Sequence, residues 1–299
     1  MSIVGLQFPL NSAQHVRYDT KGLAMTTAST KTIFITGASS GLGKATAELF
    51  AARGWQVLAT MRRPDDRSEL AAIPGVKLLA LDVTDPAQIE STVAQAVFDG
   101  PVNVVFNNAG YGISGPIEGL TDNQIQRSVQ TNLVGPILVT KAFLPHFRAN
   151  GGGLFINTTS IGGFVTFPFS SMYHATKWGL EGWSESMAFE LSQIGVSIKI
   201  IEPGAINTDF FTRSMDVGDH PAYHDELDRF LDLLTDESQM QQYSEPARIA
   251  EVVYQAATDG TSQLRYLAGA DAEATYAALR RLGSEQFRQT TAQQFLSAK

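Results

Sequence analysis

The sequence predicts an α/β protein, a doubly wound parallel sheet of about seven strands with helices on both faces, and three observations carry that prediction. Apolar runs of strand length alternate along the chain with amphipathic stretches of helix length, the order expected of successive β-α units. Those runs lack the strict apolar/polar alternation of a half-exposed strand, which suits strands covered on both faces. A glycine-rich turn joins the first run to the first helix. Strands are expected over residues 32–36, 56–60, 76–81, 102–106, 153–159, 197–202 and 264–268. Helices are expected over 43–53, 86–98, 122–148, 171–194 and 246–257. Within the third of these, Gly135-Pro136 should produce a kink, because proline removes one N–H and crowds the preceding turn. Ligands of such sheets bind beyond the C-terminal ends of the strands, the edge on which Asn108 and Ser160 fall.

Composition narrows the class. The chain has no cysteine, so disulfides, thiolate zinc sites and cysteine nucleophiles are excluded. A net charge of -8 opposes nucleic-acid binding, which needs a basic face. No run approaches the ~18 consecutive apolar residues of a membrane span. Residues 31–283 read as one domain. Residues 1–30 mix His15, Arg17, Asp19 and Lys21 with polar residues and read as a disordered extension without a signal-peptide core, Met25 offering an alternative start. Residues 284–299 read as a C-terminal tail, and a cytoplasmic location is expected.

Two motifs carry chemistry. Tyr173 and Lys177 in S-M-Y-H-A-T-K stand one helical turn apart, and Ser160 in N-T-T-S-I-G-G lies thirteen positions upstream. A tyrosine with its ordinary pKa near ~10 is a poor proton carrier at neutral pH and needs a fixed cation beside it. Residues i and i+4 share a helix face, so the Lys177 ammonium can stabilise a Tyr173 phenolate, while a serine hydroxyl completes a two-point grip on a carbonyl or carbinol oxygen. The spacing alone also fits an exposed tyrosine and lysine on an ordinary helix. The second motif is K-T-I-F-I-T-G-A-S-S-G-L-G-K, a β-branched strand, a glycine turn and a helix start. Gly37, Gly41 and Gly43 let the backbone turn tightly and approach a ligand, and the helix beginning near Leu42 offers free N–H groups to a pyrophosphate. The spacing G-x-x-x-G-x-G meets the dinucleotide fingerprint in mechanism rather than in letter.

The glycine motif, N-N-A-G from Asn107 to Gly110, Asn132, Ser160, Tyr173, Lys177 and P-G-A-I-N-T from Pro203 to Thr208 occur in that order. In them the sequence resembles the short-chain dehydrogenase/reductase family in its classical form, over about residues 32–272. V-L-A-T-M-R-R at 57–63 and S-I-G-G ahead of Tyr173 are most similar to the branch of 17β-hydroxysteroid and retinol dehydrogenase-like enzymes. The resemblance implies a Rossmann-type fold and a nicotinamide dinucleotide held at the glycine turn with Ser39, Ser40 and Leu42. It places Met61 where NAD-dependent relatives carry an acid and Arg62 where a 2'-phosphate is paired, with Arg63 in reach, so NADP(H) is favoured over NAD(H). Ser40 departs from the second basic residue that many NADP-dependent relatives carry. By the same resemblance Asp82 and Val83 contact adenine, although Asp82 also suits a turn, and Asp85 suits an N-cap. Asn108, Ala109 and Gly110 pass beside the cofactor ribose, Pro203, Gly204 and Thr208 orient the nicotinamide, Tyr173 also touches the cofactor, and Lys177 bonds the nicotinamide ribose. Asn132 is implied at a helix irregularity that binds a water linking Lys177 to solvent. The implied catalytic set is Asn132, Ser160, Tyr173 and Lys177, interconverting a carbonyl and an alcohol with transfer of the pro-S hydride.

Around the expected mouth lie Ile161, Phe164, Phe167, Phe169, Phe210, Phe211 and Met215, a lining for a bulky apolar alcohol or ketone, with core or subunit interface as the other places open to such rings. Residues 209–245 read as a substrate lid, polar and acidic from 214 onward. His220 and His224 have one-face spacing, but Pro221 intervenes and no third ligand follows, so no metal is expected. Val139, Phe143, Trp183 and Met187 exceed what one sheet face should cover, and relatives pair these helices across a two-fold axis, so a homodimer or homotetramer is expected. Two other readings stay open: an NADP-sensing or binding protein on this fold, and an NAD-dependent alcohol dehydrogenase.

Overall fold

Four residues, T-I-F-I, form the inner strand β1 (Thr32–Ile35), and the last three of them are buried. The computed structural model describes residues 30–65, 67–210 and 214–296. After β1 come α1 (Gly41–Ala52), β2 (Gln56–Met61), β3 (Val76–Ala80), α2 (Pro86–Phe98), β4 (Val104–Asn107), β5 (Gly112–Ser114) and α3 (Asp122–Val129). Next are α4 (Gly135–Ala149), β6 (Gly153–Thr158), α5 (Ser171–Ser192), β7 (Val196–Pro203) and β8 (Met215–Val217). Last are α6 (His224–Thr235), α7 (Glu237–Met240), α8 (Pro246–Thr258), β9 (Arg265–Ala268), α9 (Ala270–Leu282) and α10 (Ser284–Leu296). Seven strands make one parallel sheet in the order β3-β2-β1-β4-β6-β7-β9, the doubly wound arrangement expected. All seven strands were foreseen, with ends one or two residues out.

Alternate residues of β1 feed two cores. Ile33 and Ile35 join Phe50, Phe106, Ile249 and Val253 under α1 and α8. Phe34 joins Phe143, Phe147, Phe155 and Ile198 under α2, α4 and α5, its ring 4.9 Å from that of Phe143. Each such fully buried side chain stabilises the fold by about 1.5–3 kcal/mol. Asp85 caps α2, accepting from the Ala87 and Gln88 amides ahead of Pro86, as its position indicated.

Where one long third helix was expected, the chain forms α3, a π-helical turn over Gln130–Val134, and α4. The irregularity therefore precedes Gly135-Pro136 instead of centring on it. Pro136 has no N–H, so it removes the i+4 donor of the Asn132 carbonyl, and the wider turn absorbs the mismatch. Val139 and Phe143 are fully buried, whereas Trp183 and Met187 are half-buried and pack on the edge of the same core, so two of the four positions offered as a subunit surface are interior. On α5 the exposed apolar side chains are Trp178 and Phe189.

Residues 214–244 are more regular than their polarity suggests. β8 pairs in parallel with β5, and α6 buries Leu227 and Phe230. Residues 284–296 of the expected tail form α10, whose Phe295 ring lies 5.7 Å from Phe230 and 5.9 Å from Phe167. Of the expected N-terminal extension only Thr30 is among the described residues. No described helix is long and apolar enough to cross a membrane.

Candidate active site

Helix α5 fixes the tyrosine and the lysine, and the C-terminal end of β6 fixes the serine. Ser160 follows β6 in extended backbone, and its Oγ accepts from the Gly162 amide at 3.0 Å, capping the short 3-10 turn Ile161–Gly163. Tyr173 is hydrogen-bonded to Ser160, but burial dominates and pushes the phenol up to about 12. Lys177 is 6% exposed and its Nζ donates to the Thr158 carbonyl at 2.9 Å. Burial pulls its ammonium down to about 8, against the opposing pull of Glu181. The Lys177 Nζ stands 5.6 Å from the centroid of the Tyr173 ring. At neutral pH the pair is thus phenol plus ammonium, the state from which a proton can be given to an oxygen.

Asn132 is 1% exposed on the π-helical turn. Its side chain clamps the backbone of Tyr111, Oδ1 accepting from the amide at 3.1 Å and Nδ2 donating to the carbonyl at 2.9 Å. A Cβ on Gly110 would lie 3.1 Å from Asn132 Oδ1 and 3.8 Å from Lys177 Nζ, so Gly110 separates the two side chains. The four catalytic candidates are brought together.

The glycine turn forms a cradle at the end of β1. Gly37 and Gly41 have φ of +69° and +54°, which side-chain-bearing residues rarely adopt. A Cβ on Gly43 would collide with the Gly37 carbonyl and the Asn108 side chain. Ser39 and Ser40 are exposed, Leu42 is buried, and Ser40 at the start of α1 makes no side-chain cap, leaving first-turn amides for a ligand. One hydroxyl organises the seam, since Thr36 Oγ1 accepts from the Asn108 amide at 2.9 Å and the Ala109 amide at 3.0 Å. Asn108 Nδ2 in turn donates to the Thr36 and Gly37 carbonyls at 3.1 and 3.2 Å. Thr36 was missed in the sequence; a hydroxyl closing an apolar strand just before a glycine turn was the available signal.

At the end of β2, Met61 is buried while Arg62 and Arg63 are exposed, with no ion pair to a described residue. Asp82 makes a turn, its Oδ1 accepting from the Thr84 amide at 2.9 Å and hydroxyl at 2.7 Å, which is the local role left open for it. Val83 is buried against Gly135. Pro203 ends β7, and the Gly204 amide donates to the Ala268 carbonyl at 3.1 Å. Asp271 grips the same loop by accepting from the Ala205 amide at 2.6 Å. Thr208 meets Gly41, a Cβ there lying 3.3 Å from Thr208 Cγ2, so the post-β7 loop touches the glycine turn.

The apolar candidates divide. Phe210 stands nearest the chemistry, its ring 6.1 Å from that of Tyr173 and, with Met215, against Gly112. Phe167 stacks 5.8 Å from His174 and Phe169 5.8 Å from Phe230, whereas Phe164 meets Tyr276 of α9 at 5.4 Å. Ile161 is half-buried, and Phe211 lies outside the described residues. His174, unnoticed in the sequence, holds this loop: Nε2 accepts from the Phe167 amide at 2.8 Å and Nδ1 donates to the Gly162 carbonyl at 2.9 Å. Burial keeps its imidazole below the ordinary pKa, hence neutral. Phe169 adopts φ +53°, and its carbonyl accepts from the Gly115 amide at 2.6 Å and Ser114 Oγ at 3.0 Å. Among the described residues no cluster of His, Asp and Glu could hold a metal.

Comparison with known proteins agrees with this geometry. The family model for short chain dehydrogenase matches residues 31–216. An uncharacterized oxidoreductase of Schizosaccharomyces pombe is 40% identical over 212 residues, which is 70% of this chain and 88% of that one. A 3-ketodihydrosphingosine reductase of Bacteroides thetaiotaomicron is 37% identical over 179 residues, 60% of this chain and 65% of that one. The crystal structure of a short-chain dehydrogenase from Streptomyces avermitilis superposes with a TM-score of 0.77 at 31% identity, covering 91% of this chain and all of the other. With a sheet that is doubly wound, a glycine cradle at its seam and a Ser-Tyr-Lys group beside it, this oxidoreductase belongs to the short-chain dehydrogenase family.

Proposed function

We propose that the chain is an NADP(H)-dependent reductase and dehydrogenase that interconverts a carbonyl and an alcohol on a bulky apolar substrate. The observation that carries this reading is the grouping of Ser160, Tyr173 and Lys177, a hydroxyl pair backed by a buried ammonium. The cradle fits a dinucleotide: its glycines clear the backbone and α1 presents uncapped amides. Gly37, Gly41, Leu42 and Asn108 would hold the pyrophosphate side, Thr208 and the Pro203–Gly204 segment the nicotinamide side. Arg62 and Arg63, exposed beside a buried Met61, favour the 2'-phosphorylated form, since a guanidinium pairs with phosphate where a carboxylate would repel it. When bound, the nicotinamide supplies or accepts the hydride.

Everything else is done by the chain. Ser160 and Tyr173 grip the substrate oxygen, and Tyr173 donates its proton to that oxygen in reduction and withdraws it in oxidation. Lys177 lowers the energy of the phenolate by its charge, in a pocket where burial strengthens that interaction. Asn132 and the π-helical turn hold the Tyr111 backbone, a brace for the loop between β4 and β5. The apolar surface of Phe210, its ring 6.1 Å from that of Tyr173, with Met215 packed beside it at Gly112, supports a bulky apolar substrate, and the likeness to the Bacteroides 3-ketodihydrosphingosine reductase agrees with it. V-L-A-T-M-R-R supports placement near the 17β-hydroxysteroid and retinol dehydrogenase-like branch. The exposed Trp178 and Phe189 on α5 support a homo-oligomer. A panel of ketones, aldehydes and alcohols assayed with NADPH and NADH tests reaction class, cofactor and substrate together. Turnover of apolar carbonyls with NADPH is expected. Tight nucleotide binding with no turnover across the panel would favour a sensor.

A further inference from the structure

A cluster of buried charges stands behind the catalytic side chains, and no step above uses it. Glu181 lies one helical turn past Lys177 on α5 and is 7% exposed. Its Oε2 pairs with Arg265 Nε of β9 at 3.0 Å, while the Arg265 Nη2 reaches Glu185 at 2.7 Å and Nε lies 3.6 Å from Glu202 of β7. Three carboxyl groups thus share one guanidinium. Glu202, 4% exposed and farthest from Arg265, is pushed up to about 7 by burial and by Glu181, and burial raises Glu181 as well, against the opposing pull of Thr159 and Arg265.

The position of Glu181 couples this cluster to both halves of the catalytic pair. A Cβ on Gly163 would lie 2.9 Å from Glu181 Cγ, so the turn that follows Ser160 rests on the glutamate side chain, and only glycine permits that approach. The Glu181 carboxyl group also lies beside Thr159, the residue before Ser160, whose hydroxyl donates to the Ile201 carbonyl at 3.1 Å. The groups that face Glu181 are Lys177 and Glu185 on its own helix, Glu202 on β7, Arg265 on β9 and Thr159 on the serine turn. We infer that Glu181 is a positioning residue of this site, its carboxylate braced by Arg265 to seat the Ser160 turn on α5 and to supply the counter-charge that keeps Lys177 an ammonium. This role rests on the proposed use of Lys177 beside Tyr173. Without the carboxylate, nothing in the cluster opposes the burial that drives the lysine toward its neutral form.

The test reads Lys177 without substrate. In protein carrying isotope-labelled lysine, the Cε signal lost in Lys177→Met is followed by NMR against pH in wild type and Glu181→Gln. The lysine should titrate at a pH lower by about half a unit or more in the variant, a roughly three-fold change in its proton equilibrium. Where turnover is measurable, the kcat deficit of Glu181→Gln should widen as pH rises through the range where Lys177 loses its proton. A merely structural change gives one factor at every pH. Should Glu181→Gln fail to fold, Glu181→Asp and Glu181→Asn differ only in charge, and the aspartate form must titrate above the asparagine form. Coincident lysine titrations in either pair would overturn the role of Glu181 whatever the protein reduces. An enzyme inert toward every substrate, with shifted titrations, would sink the proposed reaction and leave this role standing.

Discussion

Lys177→Met should make the protein more stable while removing its activity. The lysine ammonium ordinarily loses its proton at 10.5, and burial brings it to about 8. That difference corresponds to a penalty of roughly 3 kcal/mol carried by the folded state at neutral pH, at 1.36 kcal/mol per pH unit. Methionine fills similar space without charge but leaves the Thr158 carbonyl, now bonded at 2.9 Å, without its donor. An orphaned acceptor costs about 1–2 kcal/mol, so a net gain of about 1–2 kcal/mol remains, or roughly 2–4 °C for a domain of this size. The sign with pH follows from linkage. Between about 8 and 10.5 the unfolded chain binds more protons than the folded one, so wild-type stability rises with pH across that window through this group. The advantage of the variant should therefore be full below about 8 and fade toward 10.5. Thermal unfolding by circular dichroism, both proteins in matched buffers without nucleotide, measures the gap. A variant less stable than wild type at neutral pH, or a gap unchanged through the alkaline range, would refute the account of Lys177 as a strained, buried cation.

Tyr173→Phe should lower kcat by about 100-fold or more and leave NADPH binding nearly intact, because it removes a proton donor and little of the cofactor contact; fluorescence titration and steady-state rates check both halves. Arg62→Ala should weaken NADPH binding about 10- to 100-fold, the equivalent of about 1.5–3 kcal/mol for a charged hydrogen bond, with NADH unaffected and Arg63→Ala as the comparison. Phe147→Ala, at a ring with no exposure in the core under α4, should destabilise by about 3–5 kcal/mol in urea unfolding. Glu202→Gln should stabilise the fold fully above about 7 and hardly at all below 4.5, because a carboxyl whose folded pKa is raised costs the folded state progressively more as pH climbs from the unfolded value to the folded one. Stability that is equally changed at both ends would show that the effect is packing.

What the sequence disclosed and what it hid follow from how locally each feature is encoded. The runs I-F-I and V-L-A are continuously apolar, and I-K-I-I is so but for Lys199, and strands buried on both faces leave that mark. Tyr173, Lys177 and the glycines were legible for the same reason, being bound to one another by helix or turn spacing. Asn132 was placed by resemblance alone, since its partner Tyr111 lies 21 residues away. Val139 and Phe143, two of the four side chains offered as a subunit face, are core because α4 covers the sheet more completely than a single-face count allows. The pairing of β5 with β8 and the docking of α10 through Phe295 depend on partners far along the chain, which periodicity does not report. The cluster of Glu181, Glu202 and Arg265 is assembled from α5, β7 and β9, so it had no linear signature at all.

The Thr36 seam has a consequence for the order in which the protein folds. Residues through β3 can form β1, α1 and β2 from neighbouring chain, yet the glycine turn is held by Asn108, whose bonds to Thr36 span 72 residues. Closing a loop of that length is slow relative to local helix and hairpin formation. The nucleotide cradle therefore takes its final shape only after β4 docks on β1, and an N-terminal half-molecule has the glycines without the grip that shapes them. Added nucleotide should slow unfolding of the native protein while leaving the early phase of refolding untouched, since the species that forms first has nowhere to hold it.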